Sequence, residues 1–383
     1  MVIEQLDFQR RVAEQAKSHT MGISAIDSML VNTNVLVHKL LKLAVEKRAS
    51  NIHLSSGCPP IFRVDGEIVN HDSLGVLTGD EMEAIFVSMT TPEQREAFAQ
   101  ELELGFIYVV PELARFRVSA LRQRGTIALS LRLVPFSVLS IDDLGLPQIL
   151  KQLVLKPRGL ILVTGYTGSG KSTTLAAMID YLNERERRNV ITIEDPIEFL
   201  HFNKKCVITQ RDVGSDTKSF ANALKYSLRQ DPDVIVVGEM RDLETMAAAI
   251  TAAETGHLVL ATLHTLNAAQ SVDRIVDIFP SNQQGQIRFQ LSQVLEAVLS
   301  QVLLRRIGGG RIAALEIMAS NSAVRNLIRE GKTYQLPSMI QLGSKDGMQT
   351  LHQALADLVK RHIVTPEEAL SKSSDPEELR KLF

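Results

Sequence analysis

Gly165, Gly170, Lys171 and Ser172 fit the pattern G-x-x-x-x-G-K-[ST] inside GLILVTGYTGSGKSTTL, residues 159–175. An apolar strand-like run precedes the loop and a helix-compatible STTLAAMIDYL follows it, the context such a loop needs. Gly165, Thr167, Gly168, Ser169 and Gly170 form a stretch whose backbone N–H groups can curl around phosphate oxygens. The start of the following helix adds a favourable partial charge. Lys171 is expected to reach the β and γ phosphates and Ser172 to hold Mg2+. Thr173 either contacts phosphate or caps the helix. The chemistry is the holding of ATP. Kinases, transporters, helicases and rotary motors all share it, so the use of the energy has to be sought elsewhere.

Acidic groups supply the next clue. NVITIEDPIEF, residues 189–199, ends a strand-like run in Glu194 and Asp195, with Glu198 beyond. DPDVIVVGEMRD, residues 231–242, leads four apolar residues into Gly238 and Glu239. Carboxylates at the C-terminal edge of a parallel sheet lie where ligands bind. Glu239 is placed to orient an attacking water, or to bind Mg2+ through water. TGHLVLATLHT, residues 255–265, carries His257 at its start and His264 at its end. Strict strand alternation puts the two on opposite faces, so they are expected to do different jobs. His264 is the better placed to sense the γ phosphate or a neighbouring subunit.

These residues need a scaffold. Buried-type strands at 160–164, 190–193, 234–237 and 258–262, with helical segments between most of them, predict a mostly parallel sheet covered on both faces. After about 266 the pattern turns mainly helical. GQIRFQLSQVLEAVLSQVLLRR, residues 285–306, has apolar residues at helical spacing, and GGG at 308–310 breaks it. A strand-like RIAALEIM, a helix-like SNSAVRNLIREGK and a helix around 350–360 follow. Upstream, 35–50 has a helical pattern, NIHLS, PIFRVDG and GEIVN are strand-like, and TGDEMEAIFVSM suggests a helix capped by Thr78 with Glu81 three residues on. RFRVSALRQRGTIALSLRLV, residues 115–134, alternates and turns near Gly125 as a hairpin does. The organisation expected is an N-terminal extension over 1–33, a small α+β domain over 34–134, a linker over 135–147, an ATPase domain with a C-terminal helical part over 148–370, and a charged, loosely packed tail over 371–383.

Bulk properties set limits. The chain has 383 residues, 45% hydrophobic and 22% charged, with a formal net charge of -2. Near-neutrality argues against a broad electrostatic grip on nucleic acid, and no stretch interleaves aromatic and basic residues for stacking single strands. Two cysteines, Cys58 and Cys206, cannot form a disulfide framework or a four-cysteine zinc site, which fits reduced cytosol. The N-terminus lacks an apolar signal-like core and no run is long enough to span a bilayer.

The hairpin concentrates Arg115, Arg117, Arg122, Arg124 and Arg132 within 18 residues. Arginine offers a rigid fork for phosphate or carboxylate. Either this is a solvated basic sheet face, or some of these side chains reach a neighbouring subunit's ATP and tie hydrolysis to domain motion.

TGSGKSTTLAAM, TIEDPIEF, LRQDPDVIVVGEMRDLET and ETGHLVLATLHT, in this order and spacing, resemble the Walker A, Asp box, Walker B and His box of PilT-like ATPases of the type II/IV secretion superfamily. The resemblance runs from about residue 35 to about 370. It implies a RecA-like P-loop core with an N-terminal PAS-like α+β domain, assembled as a homo-hexamer on the cytoplasmic face of the inner membrane. The implied activity is ATP hydrolysis that powers type IV pilus retraction and twitching motility through an inner-membrane platform protein, with paralogous retraction or extension ATPases as further partners and no nucleic acid. Carried over by position, Lys171 and Ser172 bind ATP and Mg2+, Glu239 is the catalytic glutamate, Glu194 the Asp-box acid, and His257 and His264 the His box. Arg117, Arg124 and Arg132 resemble the family's interdomain or intersubunit arginines, with Arg122 an extra that blurs the choice.

SAVRNLIREGK resembles the family's retraction signature, here Val324, Arg325, Asn326, Leu327, Ile328, Arg329 and Glu330. Val324, Leu327 and Ile328 are expected on one helix face, with Arg325 and Arg329 stacked on another. Asn51 stands where the family commonly has aspartate. Assembly-type relatives usually carry a tetracysteine zinc module, which two distant cysteines do not provide. Two other readings compete: a DNA-translocating or helicase-like RecA-family motor, and an ATP-binding accessory subunit of a pilus motor.

Overall fold

The computed structural model describes residues 33, 35–47, 49–64, 66–111, 113–134 and 138–383. The extension expected over 1–33 lies, apart from Thr33, outside the described residues. The chain divides into two compact units, 1–136 and 137–383.

The first unit contains helix α1 over 35–46, strands β1 (Asn51–Ser55), β2 (Ile61–Val64) and β3 (Glu67–Asn70), helices α2 (Gly79–Met89) and α3 (Pro92–Glu101), and strands β4 (Glu103–Val110), β5 (Ala114–Gln123) and β6 (Thr126–Val134). They form one six-stranded sheet in the order β3-β2-β1-β6-β5-β4, antiparallel throughout. α2 starts where expected, with Thr78 and Glu81 exchanging both bonds of a capping box. Strict alternation in β5 sends Phe116, Val118 and Ala120 inward to a core shared with Leu41, Ile85 and Phe98. The β5–β6 hairpin closes on a two-residue turn, Arg124 and Gly125, at φ 51° and 80°. Both central residues at positive φ match the twist of paired strands.

The second unit opens with α4 (Ile149–Val154) and continues through β7 (Gly159–Thr164), α5 (Lys171–Arg185), β8 (Asn189–Glu194), β9 (Val207–Asp212), α6 (Phe220–Ser227), β10 (Val234–Val237), α7 (Leu243–Glu254), β11 (Leu258–Leu263), α8 (Ala268–Asp277), α9 (Gln284–Val294), β12 (Leu295–Arg305) and β13 (Arg311–Ala319). Helices α10 (Ser322–Glu330), α11 (Leu336–Leu342), α12 (Leu351–Lys360), α13 (Pro366–Ser371) and α14 (Pro376–Arg380) complete it. The seven-stranded sheet runs β13-β12-β7-β11-β10-β8-β9. All neighbours are parallel except β12 with β13. β7, β10 and β11 are buried at every position, as helices on both faces require. Leu160 and Leu162 feed one core with α7, α8 and α9, while Ile161 and Val163 feed the opposite core with α4 and α5.

Two expectations are corrected. The helical pattern over 285–306 is a helix only in its first half; from Leu295 the chain is strand β12. An apolar run buried on both faces has no polar side to reveal its period, and pairing with β7 and β13 decides the matter. The tail over 371–383 is not loosely packed throughout: α14 is capped by Asp375, and Leu379 is fully buried beside Leu355 and Val359.

Candidate active site

The phosphate loop grows from the C-terminal end of β7. Gly165, Gly168 and Gly170 take φ of 141°, 84° and 93°, and a Cβ on Gly165 would lie 2.4 Å from the Gln301 carbonyl oxygen. The loop needs glycine both for conformation and for close approach. Gly170 is the N-cap of α5 and supplies no side-chain cap, which leaves the first N–H groups of the helix for a ligand. Thr173 therefore does not cap α5. Thr167 and Gly168 are exposed, Ser169 is buried, and Ser172 and Thr173 are half-buried. Lys171 folds back so that Nζ donates to the carbonyls of Gly165 and Tyr166 at 2.8 and 3.2 Å. Burial pushes its ammonium below the ordinary lysine range, while Glu239 and Glu198 pull it back up.

The acids come from the ends of β8 and β10. The Gly238 N–H donates to the Ile193 carbonyl, and a Cβ on Gly238 would sit 3.2 Å from the Glu194 Cα. This close packing brings the two acid-bearing strand ends together. Glu194 Oε1 accepts from Thr192 Oγ1 at 2.6 Å and Gln210 Nε2 at 3.1 Å. Burial raises its carboxyl above the usual range despite these donors. Glu239 behaves oppositely. Burial works to raise it, but Arg241 Nε at 2.6 Å and His264 Nε2 at 2.9 Å outweigh that and lower it. Two carboxylates in one site with opposed shifts are a common sign of divided acid–base roles. Asp195 is exposed and Glu198 half-buried at the same edge.

The two histidines flank opposite ends of β11. His264 follows β11 at its C-terminal end and meets Glu239. His257 precedes β11 and its Nδ1 lies 2.9 Å from the Ala252 carbonyl and 3.2 Å from Thr255 Oγ1. It stands at the opposite edge of the sheet and is not brought to the phosphate loop within this unit.

The arginines belong to the first unit. Arg117 and Arg132 are cross-strand partners on the exposed face, an arrangement of like charges that costs stability unless an anion joins them. Arg132 is also paired with Asn51, and Asn51 with Arg63. Arg124 occupies the hairpin turn. Arg122 is engaged locally, 3.7 Å from Glu83 and over the Phe98 ring.

In helix α10, Val324 and Ile328 are fully buried and Leu327 packs against the same core. Arg325 and Arg329 do not behave alike. Arg325 turns inward to the Ser292 and Gln293 carbonyls and to Glu296, whereas Arg329 is exposed beside Asn326. Asn326 also donates to Glu330.

Sequence reasoning missed Gln210 and Arg241, which hold the two acids. Arg241 was visible two residues after Glu239; Gln210 comes from a strand that no motif marks. No ready-made cluster of three metal-ligating His, Cys, Asp or Glu side chains occurs among the described residues.

A profile of the type II/IV secretion system protein family matches residues 27–309. The chain belongs to that family. The type IV pilus retraction ATPase PilT of Pseudomonas aeruginosa is 48% identical over 341 residues, covering 89% of this chain and 99% of that one. The type IV pilus ATPase PilU of the same organism is 41% identical over 346 residues, 90% of each chain. A solved structure described as the pilus retraction motor PilT with bound ADP superposes with a TM-score of 0.84 at 47% identity, covering 90% of this chain and 98% of that one. The family member described here is thus a PilT-like ATPase with a RecA-like core. No helix among the described residues is long and apolar enough to cross a membrane.

Proposed function

We propose that this ATPase is the motor that retracts a type IV pilus. Six copies would form a ring at the cytoplasmic face of the inner membrane and pass their motion to a platform protein there. The observation that carries this reading is the near-complete match to a retraction ATPase, which spans both units and the signature helix α10.

The residues present suit Mg2+ and ATP. Gly165–Gly170 form the cradle, Lys171 provides the charge, and Ser172 and Glu239 are the groups that would hold the metal, which supplies charge neutralisation across the β and γ phosphates. Glu239, ionised between Arg241 and His264, orients the attacking water. Glu194, kept toward its neutral form by burial, receives or returns a proton. His264 relays the state of Glu239 to the surface. Arg117, Arg124 and Arg132 are proposed to complete a neighbour's site in trans, which would relieve the like-charge pairing on their sheet.

The match to PilU favours a second reading, an accessory pilus ATPase acting beside a main motor. One experiment separates the two. A deletion strain carrying this chain alone, or its Glu239→Gln variant, is scored for twitching motility and the purified proteins for ATP hydrolysis. Hydrolysis and motility that are both lost with Glu239→Gln support the motor. Motility that survives Glu239→Gln as long as a paralogue is present supports the accessory role.

A further inference from the structure

Between Ala297 and Leu304, strand β12 carries two polar residues, Ser300 and Gln301, in an otherwise apolar run, and both are 2% exposed. β12 pairs in parallel with β7 up to Ser300 opposite Thr164, where the two hydroxyls meet at 2.9 Å. Gln301 therefore lies beside the first residue of the phosphate loop. Its side chain reaches across that loop. Nε2 donates to the Ser169 carbonyl at 2.7 Å, and Oε1 accepts from Thr174 Oγ1, on the first turn of α5, at 2.7 Å. A Cβ on Gly170 would fall 2.7 Å from Nε2, so the amide packs directly against the loop.

The orientation of the amide is fixed by chemistry. The Ser169 carbonyl only accepts, so the NH2 must face it. The Ser169 hydroxyl has no partner and its N–H donates within the loop to the Tyr166 carbonyl, so the carbonyl bond is the residue's tether to β12. In a trans peptide the C=O and the next N–H point in opposite directions. Holding the Ser169 carbonyl outward toward β12 turns the Gly170 N–H inward, to the concave side where phosphate oxygens sit. We infer that Gln301 is a positioning residue of the nucleotide site, a buried amide that sets the Ser169–Gly170 peptide and ties it to the start of α5. The inference rests on the nucleotide-holding role of residues 165–172. It adds a residue that is more than 125 positions away in the chain and belongs to none of the family's boxes.

The test is binding of Mg-ADP by calorimetry, with steady-state ATPase kinetics, on the full chain. Gln301→Met keeps an unbranched side chain and removes both bonds. It is expected to weaken Mg-ADP by about tenfold or more, the effect of unmaking a buried polar contact, and to raise KM for ATP while kcat at saturation stays within a few-fold. Thr174→Val removes the bond to α5 but leaves the Ser169 tether, and is expected to weaken binding by less than threefold. Gln301→Glu offers a donor to Ser169 only when its carboxyl is protonated, so its deficit relative to the unaltered protein is expected to shrink as pH falls from 8 to 6. That measurement also covers the case in which Gln301→Met fails to fold. A Gln301→Met protein that melts lower yet binds Mg-ADP with full affinity would overturn the inference, as would a Gln301→Glu deficit independent of pH. An unaltered protein that bound no Mg-ADP would overturn the nucleotide role itself, an outcome distinct from both.

Discussion

His264 Nε2 lies 2.9 Å from Glu239 Oε1, joining the ends of β11 and β10. The same oxygen takes Arg241 Nε at 2.6 Å. The Met240 N–H donates to the Thr262 carbonyl, and the Thr262 hydroxyl donates to the Gly238 carbonyl. The backbone around the glutamate is thus pinned between two neighbouring strands before any ligand arrives. A carboxylate held this way needs little reorganisation to orient a water.

Glu239→Gln should separate binding from turnover. The amide fits the same space but cannot accept a proton or carry the charge. Turnover is expected to fall by about 10²–10⁴-fold, the usual range for losing a positioned acid–base group. Mg-ADP affinity should change by no more than a few-fold, because the phosphate cradle lies on β7 and α5. Calorimetry beside a phosphate-release assay checks both. Unchanged hydrolysis would remove Glu239 from the mechanism.

Arg241→Ala should move the acid limb of the pH profile. Arg241 is one of the two groups that hold Glu239 below its ordinary range. Without it the carboxyl protonates at higher pH, so turnover should begin to fall at a higher pH than in the unaltered protein. The stability effect has a defined sign. A depressed carboxyl contributes stability above its unfolded pKa and loses it as pH falls through the folded value. Melting temperatures of the two proteins should differ near pH 7 and converge as pH falls through the folded value of Glu239. The arginine side chain is 70% exposed, so the difference at pH 7 should stay under about 1 kcal/mol.

Glu194→Gln should stabilise the protein while slowing it. Burial raises this carboxyl, so holding it ionised at neutral pH costs stability, and that cost disappears below its unfolded pKa. Thr192 and Gln210 both donate to the same oxygen, which a glutamine carbonyl can replace. A gain on the order of 1 kcal/mol is expected at pH 7, shrinking toward pH 4, together with reduced turnover. Thermal melts across pH check it. A loss of stability at pH 7 would mean that the ionised form is the one this site favours.

Features contained in one short stretch were legible from the chain alone. The loop 165–172, the capped helix after Thr78 and the hairpin turn at Gly125 all depend on neighbours in sequence, and all stand where expected. The opposed environments of Glu194 and Glu239 were not legible. Glu194 is raised by its burial, and Glu239 is lowered by Arg241 and His264; the burial and the His264 contact exist only once β8, β9, β10 and β11 are aligned. The helical expectation at 295–305 failed for the same reason, since that run acquires its strand geometry from β7 and β13. Arg325 and Arg329, alike by helical spacing, differ because only Arg325 finds carbonyls and a carboxylate beneath it.

That difference makes the last prediction. Arg325 donates to the Ser292 and Gln293 carbonyls at the end of α9, and to Glu296 Oε1 at 2.7 Å. Glu296 Oε2 in turn accepts from Lys156 at 2.5 Å, three residues before β7. One guanidinium therefore satisfies the C-terminal carbonyls of α9 and links α10, through Glu296, to the base of the phosphate-loop strand. Arg325→Ala should destabilise the second unit by about 1–3 kcal/mol, the cost of leaving partly buried polar groups unpaired. Arg325→Lys should fall between, because a single ammonium cannot reproduce the forked contact. The mostly exposed Arg329 should tolerate alanine with a change of about 0.5 kcal/mol or less. Chemical denaturation of the three variants checks the order. If Arg325→Ala proved as stable as Arg329→Ala, the inward contacts of Arg325 would not be holding α10 in place.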